Sequence, residues 1–77
     1  MEGIAIPYKE FEVRIKDLEF IDANCTILFL DGDRGEIIVL NPNEILLEEL
    51  ESRGIRYRKL SEDEVVRYSR DLILGLR

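Results

Sequence analysis

Three features of the sequence predict an α+β domain. Apolar stretches over residues 9–16, 25–30 and 36–40 read as strands, two helix-capping boxes begin at residues 41 and 61, and a short apolar stretch over 55–60 lies between the helices they open. The expected order is β-β-β-α-β-α in a single compact domain over residues 1–77. An antiparallel three-stranded meander comes first. The fourth strand joins it through a right-handed β-α-β crossover, with the helices packed on the sheet.

From Lys9 to Lys16, Phe11, Val13 and Ile15 alternate with Glu10, Glu12, Arg14 and Lys16, the pattern of a half-buried strand. The apolar phase then slips by one to Leu18 and Phe20, which suggests a bulge or turn at Lys16-Asp17. Asp22-Ala23-Asn24 is turn chemistry. The nearly continuous apolar run Cys25 to Leu30 suits a central strand, and Asp31-Gly32-Asp33-Arg34-Gly35 a hairpin loop leading to the returning strand Glu36–Leu40. Asn41, Pro42 and Glu44 supply a cap, a first helical residue and a capping-box acid. The helix they open buries Leu46, Leu47 and Leu50, exposes Glu48, Glu49 and Glu51, and stops at Gly54. Ile55–Leu60 is the fourth strand. Ser61-Glu62-Asp63-Glu64 is the second capping box. Val65, Val66, Ser69, Leu72, Ile73 and Leu76 line one face of the final helix, with Gly75 as its terminator. Residues 1–8 read as an N-terminal arm or an extra edge strand around Ile4–Ile6.

A chain of 77 residues buries only about 60% of the surface its unfolded form exposes, so self-association is one way to supplement its core. Monomer and homodimer are both expected states. Cys25 is the only cysteine and there is no histidine, which rules out an internal disulfide and a zinc site of Cys and His ligands. Hydrophobic residues make up 45%, enough for a globular core, yet no apolar run approaches the ~20 residues that span a bilayer. Met1-Glu2-Gly3 has no basic n-region, so no signal peptide and no membrane partner are expected. A lone cysteine fits a reducing cytoplasm. Charged residues reach 36%, Gln, Trp and His are absent, and Thr and Met occur once each. That composition is typical of hyperthermophile proteins.

Charge is uneven along the chain. Residues 1–51 carry four Lys/Arg against 13 Asp/Glu, a net of −9, whereas residues 52–77 carry seven against four, a net of +3. Arg53, Arg56, Arg58 and Lys59 surround Tyr57, a combination able to follow a phosphate backbone and stack on a base. The same residues also suit a solvated strand face, or a counter-charge to the acidic helix Glu44–Glu51. Overall charge opposes nucleic-acid binding. Asp31-Gly32-Asp33 resembles the DxD start of haloacid-dehalogenase-like phosphatases and a calcium loop. Arg34-Gly35 and a strand follow it where the first needs Thr or Val and a helix, and Glu36 stands where the second needs Gly. A plain hairpin tip, with at most weak cation binding, fits better. Tyr8, Tyr57 and Tyr68 read as packing residues and Cys25 as an inert core thiol. Without His, Ser61 and Ser69 lack a conventional general base.

Phe20-Ile21-Asp22, an apolar strand, the Asp-Gly-Asp-Arg-Gly hairpin and Ile37-Ile38-Val39-Leu40 leading into a helix resemble the core of PD-(D/E)xK nucleases, especially RecB-like members. The resemblance covers about thirty residues of hairpin pattern. It implies that Asp22 takes the place of the first metal-binding acid and that the D/E-x-K positions fall on Asn41-Pro42-Asn43. Asn41 then replaces the second carboxylate and Asn43 the lysine. Such a protein lacks both the charge that holds Mg²⁺ and the group that activates water, and is an inactive miniature of the family. The hairpin also resembles the tail of the phosphohistidine domain of PEP-utilising enzymes, whose histidine is missing.

These readings predict a non-enzymatic cytoplasmic accessory or protein-interaction domain with no cofactor and no resident metal, whose partner is another protein. The second expectation is an inactive nuclease-like domain with at most weak nucleic-acid contact through Arg53, Arg56, Tyr57, Arg58 and Lys59. The third is a small Mg²⁺-dependent enzyme using Asp22, Asp31, Asp33 or Glu36.

Overall fold

The chain alternates strands and helices from its start. The computed structural model describes residues 1–10 and 15–73. Strand β1 (Gly3–Pro7) leads through a single 3₁₀ turn (Tyr8–Glu10) towards helix α1 (Ile15–Ala23); β2 (Ile27–Asp31) and β3 (Glu36–Leu40) form a hairpin; α2 (Glu44–Ser52), β4 (Arg58–Lys59) and α3 (Glu62–Ile73) follow. The four strands form one antiparallel sheet in the order β2-β3-β1-β4. Both β3 and β4 run antiparallel to β1, so they are parallel to each other with β1 between them. The same holds for β1 and β2 around β3. Two interlocked split β-α-β units, the ferredoxin-like connectivity, therefore precede the appended helix α3. The α+β class of the sequence reading is what the chain adopts; its β-β-β-α-β-α order is not.

Four differences from that order have local causes. Lys9 and Glu10 lie in the 3₁₀ turn and Ile15 and Lys16 open α1, so the strand expected over 9–16 is absent at both ends; Phe11–Arg14 fall outside the described residues. Ile15, Leu18 and Ile21 recur every third residue. The apparent phase slip is the change to a helical period. Residues 3–7, read as an arm or edge, form an inner strand. Ile4, Ala5 and Ile6 are all buried, and a strand covered on both faces shows no alternation. The run Cys25–Leu30, expected at the centre, supplies the edge strand β2. Finally, β4 is two residues long and pairs with β1 rather than β3.

The sheet separates two apolar clusters. Ile4, Ile6, Ile37 and Val39 point to the side of α1 and α2, where they meet Ile21, Leu46 and Leu50. Ala5, Ile38 and Leu40 point to the other side, where Val65 and Tyr68 of α3 cover them. The Cα radius of gyration, 11.7 Å, matches the roughly 11.5 Å of a compact chain this long. Among the described side chains of α3, Val65 and Tyr68 are buried and Val66 is exposed; those of Leu72 and Ile73 lie outside the description. The positions expected at Gly75 and Leu76 lie outside the described residues.

Local chemistry sets the helix ends. Asn43, not Asn41, caps α2: its backbone is extended and its Oδ1 accepts the Leu46 N–H at 2.9 Å. At the other end Gly54 takes φ +70°. Its N–H reaches the Glu51 carbonyl at 3.1 Å and that of Ile55 reaches Leu50 at 2.9 Å, a Schellman closure. The capping box of α3 forms as expected. Glu64 N–H donates to Ser61 Oγ at 3.2 Å and Ser61 N–H donates to Glu64 Oε1 at 3.0 Å.

Candidate functional site

Asp22, Asn41 and Asn43 lie at one end of the sheet, where the α1–β2 and β3–α2 turns meet. The asparagines hold those turns together. Asn41 has φ +57°, and its side-chain amide donates to Thr26 Oγ1 at 2.9 Å. Asn43 donates its side-chain N–H to Asn24 Oδ1 at 2.9 Å and its backbone N–H to the Asn24 carbonyl at 3.0 Å, besides capping α2. Asn24 in turn donates to the Phe20 carbonyl at 2.8 Å. Both side chains are thus committed to the backbone frame, and as neutral amides they supply no charge to a cation. Asp22 is exposed on the last turn of α1. Cys25 lies beside it, its Sγ 3.9 Å from the Asp22 carbonyl. Burial, and then the Asp22 charge, raise the Cys25 thiol above its usual range, which keeps it protonated and unreactive.

Folding brings the basic stretch against the acidic half of the chain. Arg58 makes a bidentate pair with Glu36 at 3.0 and 3.1 Å and reaches both oxygens of Glu64 at 3.1 and 2.9 Å. Hydrogen bonding to Glu36 first, and then to Glu64, raises the Arg58 pKa above its already high value. Glu64 is lowered, mainly by the Ser61 N–H bond, with Arg58 adding to the effect against burial. Arg34 also approaches Glu64, at 3.5 Å. Arg53 pairs with Glu49 at 2.6 Å and Asp17 at 3.4 Å, Arg56 with Glu10 at 3.3 Å, and Tyr57 Oη contacts Glu51 at 3.5 Å. Within the stretch only Lys59 makes no ion pair among the described residues.

The hairpin loop turns its first acid inward. Asp31 is 5% exposed; its Oδ2 accepts from the Tyr68 hydroxyl and its Oδ1 from the Arg34 N–H, both at 3.2 Å. It is thereby occupied as a structural acceptor, separate from the exposed Asp33. Among the described residues, no three His, Cys, Asp or Glu side chains are grouped to hold a metal ion. The Asp31–Tyr68 contact was not legible from spacing, since the partners lie 37 positions apart.

An open cleft of about 420 Å³ lies between the start of β1, β4 and the first turn of α3. Leu47, Leu60, Val65 and Met1 give it apolar walls, with Tyr57, Lys59, Glu2 and Glu62 as its polar lining. Sequence reading identified Lys59 but not the cleft, whose walls come from four separate segments. A scan against family models and searches of curated proteins and solved structures find no match to this chain. Among the described residues, no helix is long and apolar enough to cross a membrane.

Proposed function

We propose that this chain is a non-enzymatic accessory or protein-interaction domain of the cytoplasm, and that its partner protein docks in the cleft beside β4. The observation that carries this reading is the combination found there: apolar walls open to solvent, next to Lys59, the one cation of the basic stretch with no ion pair among the described residues, in a lining that also holds Glu2 and Glu62. Burial of an apolar side chain supplies the affinity, and an acidic group on the partner pairs with Lys59. The inactive nuclease-like reading ranks second because Arg53, Arg56 and Arg58 are already engaged by acids. Each pair is open to solvent through its arginine and weak by itself, but the acids beside the arginines offset the positive potential that a phosphate backbone would meet.

Native-lysate capture with the wild-type chain and with Lys59→Glu as bait tests the proposal. A stoichiometric partner that the wild type retains and Lys59→Glu loses is expected. No stoichiometric partner, or equal capture by both, overturns it. Mg²⁺- or Mn²⁺-dependent nuclease turnover abolished by Asp22→Ala overturns the non-enzymatic reading altogether.

A further inference from the structure

The sheet has two unlike edges. β4 is short and presents Arg58 and Lys59, the charged, abbreviated edge that resists pairing. β2 presents Ile27-Leu28-Phe29-Leu30 with no proline, lysine or glycine; β3 pairs with one side of it, and among the described residues no strand lies along its outer side.

The hydrogen-bond alternation fixes which groups face outward. Asn41 N–H bonds to the Glu2 carbonyl and Tyr8 N–H to that of Gly35. The odd-numbered residues of β3 therefore bond to β1 and the even-numbered ones to β2. With Phe29 opposite Ile38, Phe29 directs its backbone to β3, whereas Leu28 and Leu30 direct theirs away from the sheet. Leu30 is also 48% exposed, and Phe20, on the helix packed against β2, is 37% exposed. Apolar side chains and outward amides thus share one edge.

We propose that β2 pairs antiparallel with β2 of a second copy of this chain, giving a closed two-fold dimer with a continuous eight-stranded sheet. The strand is self-complementary about its midpoint. Leu28 of one copy exchanges backbone bonds with Leu30 of the other, and Leu30 is covered by the neighbouring Leu28 on the same face. No like charges meet within the pairing, since the strand's only charged side chain, Asp31, is turned inward to Tyr68. The antiparallel sense brings the Arg34 end of each strand to the Asp22 end of the other. Because β4 is shielded, β2 cannot pair with β4 of a second copy, so the association closes at two chains instead of growing into a filament. This inference is independent of the cleft, and either can fail without the other.

Sedimentation of the full chain reads the result directly. The wild type is expected at about 18 kDa, twice the 9.0 kDa chain. Leu30→Lys, which places a charge at an exposed position of the edge, is expected at monomer mass with an unchanged circular dichroism spectrum, while Ile45→Lys, on exposed α2 surface, stays dimeric. In wild-type protein the Leu28 and Leu30 amides are expected to exchange at least about tenfold more slowly than in a dilute monomeric sample; this readout decides the matter if Leu30→Lys does not fold. Monomer mass up to about 1 mM, where even a millimolar dimer shows, overturns the proposal. So does a dimer that survives Leu30→Lys, or fast exchange at Leu28 and Leu30 in a dimer, which would place the contact elsewhere. Slow exchange that appears only when an unrelated strand peptide is added also overturns it, by assigning the edge to a different occupant.

Discussion

Asp31 is the one buried charged side chain among the described residues, and a buried carboxylate must have its acceptors filled. Tyr68 does so while its ring packs against Phe29 at 5.2 Å between centroids. Tyr68→Phe keeps that packing and removes the donor. A loss of about 1–2 kcal/mol is expected in urea unfolding. Burial first, and then the Asp31 bond, raise the Tyr68 hydroxyl above its ordinary pKa of 10.0. A folded pKa raised above the unfolded one adds stability that is complete below about pH 10 and is lost as pH rises through the folded value. Stability should therefore fall on the alkaline side, and Tyr68→Phe should flatten that fall. Glu64 works in the opposite sense. Its lowered carboxyl contributes stability above its usual range, lost as pH falls through the folded value. Unfolding curves across pH for wild type and Glu64→Gln check that sign, with the variant losing less on acidification.

At the scale of elements, helix ends carry their own signals and sheet positions do not. Ser61 and Glu64 form the capping box that their spacing predicts, and Gly54 stops α2 because its left-handed backbone closes the last turn. Gly54→Ala is expected to cost about 1 kcal/mol although open space surrounds the position. Asn43→Ala is expected to cost about 1–2 kcal/mol through the lost cap and the lost bridge to Asn24. Thermal unfolding and amide exchange in the first turn of α2 measure both. The cap lies two residues past the position the sequence favoured, because Asn41 adopts positive φ and Pro42 extends the turn. β1 was illegible as an inner strand: Ile4, Ala5 and Ile6 carry no polar alternation, since α1 and α2 cover one face and α3 the other. The order β2-β3-β1-β4 depends on contacts between distant segments, which no local period encodes. Asn41 and Asn43 were visible as a pair, but their roles depend on Thr26 and Asn24 across the turn.

In the whole molecule, the basic stretch is brought against acids of the first part of the chain. Acids of the first two-thirds and arginines of the last third meet in space, Asp17 and Glu49 at Arg53, Glu10 at Arg56 and Glu36 at Arg58, while Glu64 adds a second acid to Arg58 from within the last third. Exposed pairs of this kind add little individually at 25 °C, whereas a linked set gains weight as temperature rises. A melting midpoint above about 70 °C is expected, higher than that of ordinary mesophile domains; calorimetry at low and high salt checks both the value and its ionic origin. The central claim is that these cations serve the fold and that the surfaces left for partners are the cleft beside Lys59 and the β2 edge. An NMR titration of the labelled chain with duplex and single-stranded DNA at low salt tests it most directly. The expected spectra show no saturable shift at Arg53, Arg56, Tyr57, Arg58 or Lys59; saturable shifts across those residues, weakening with salt as phosphate contacts do, would contradict the account.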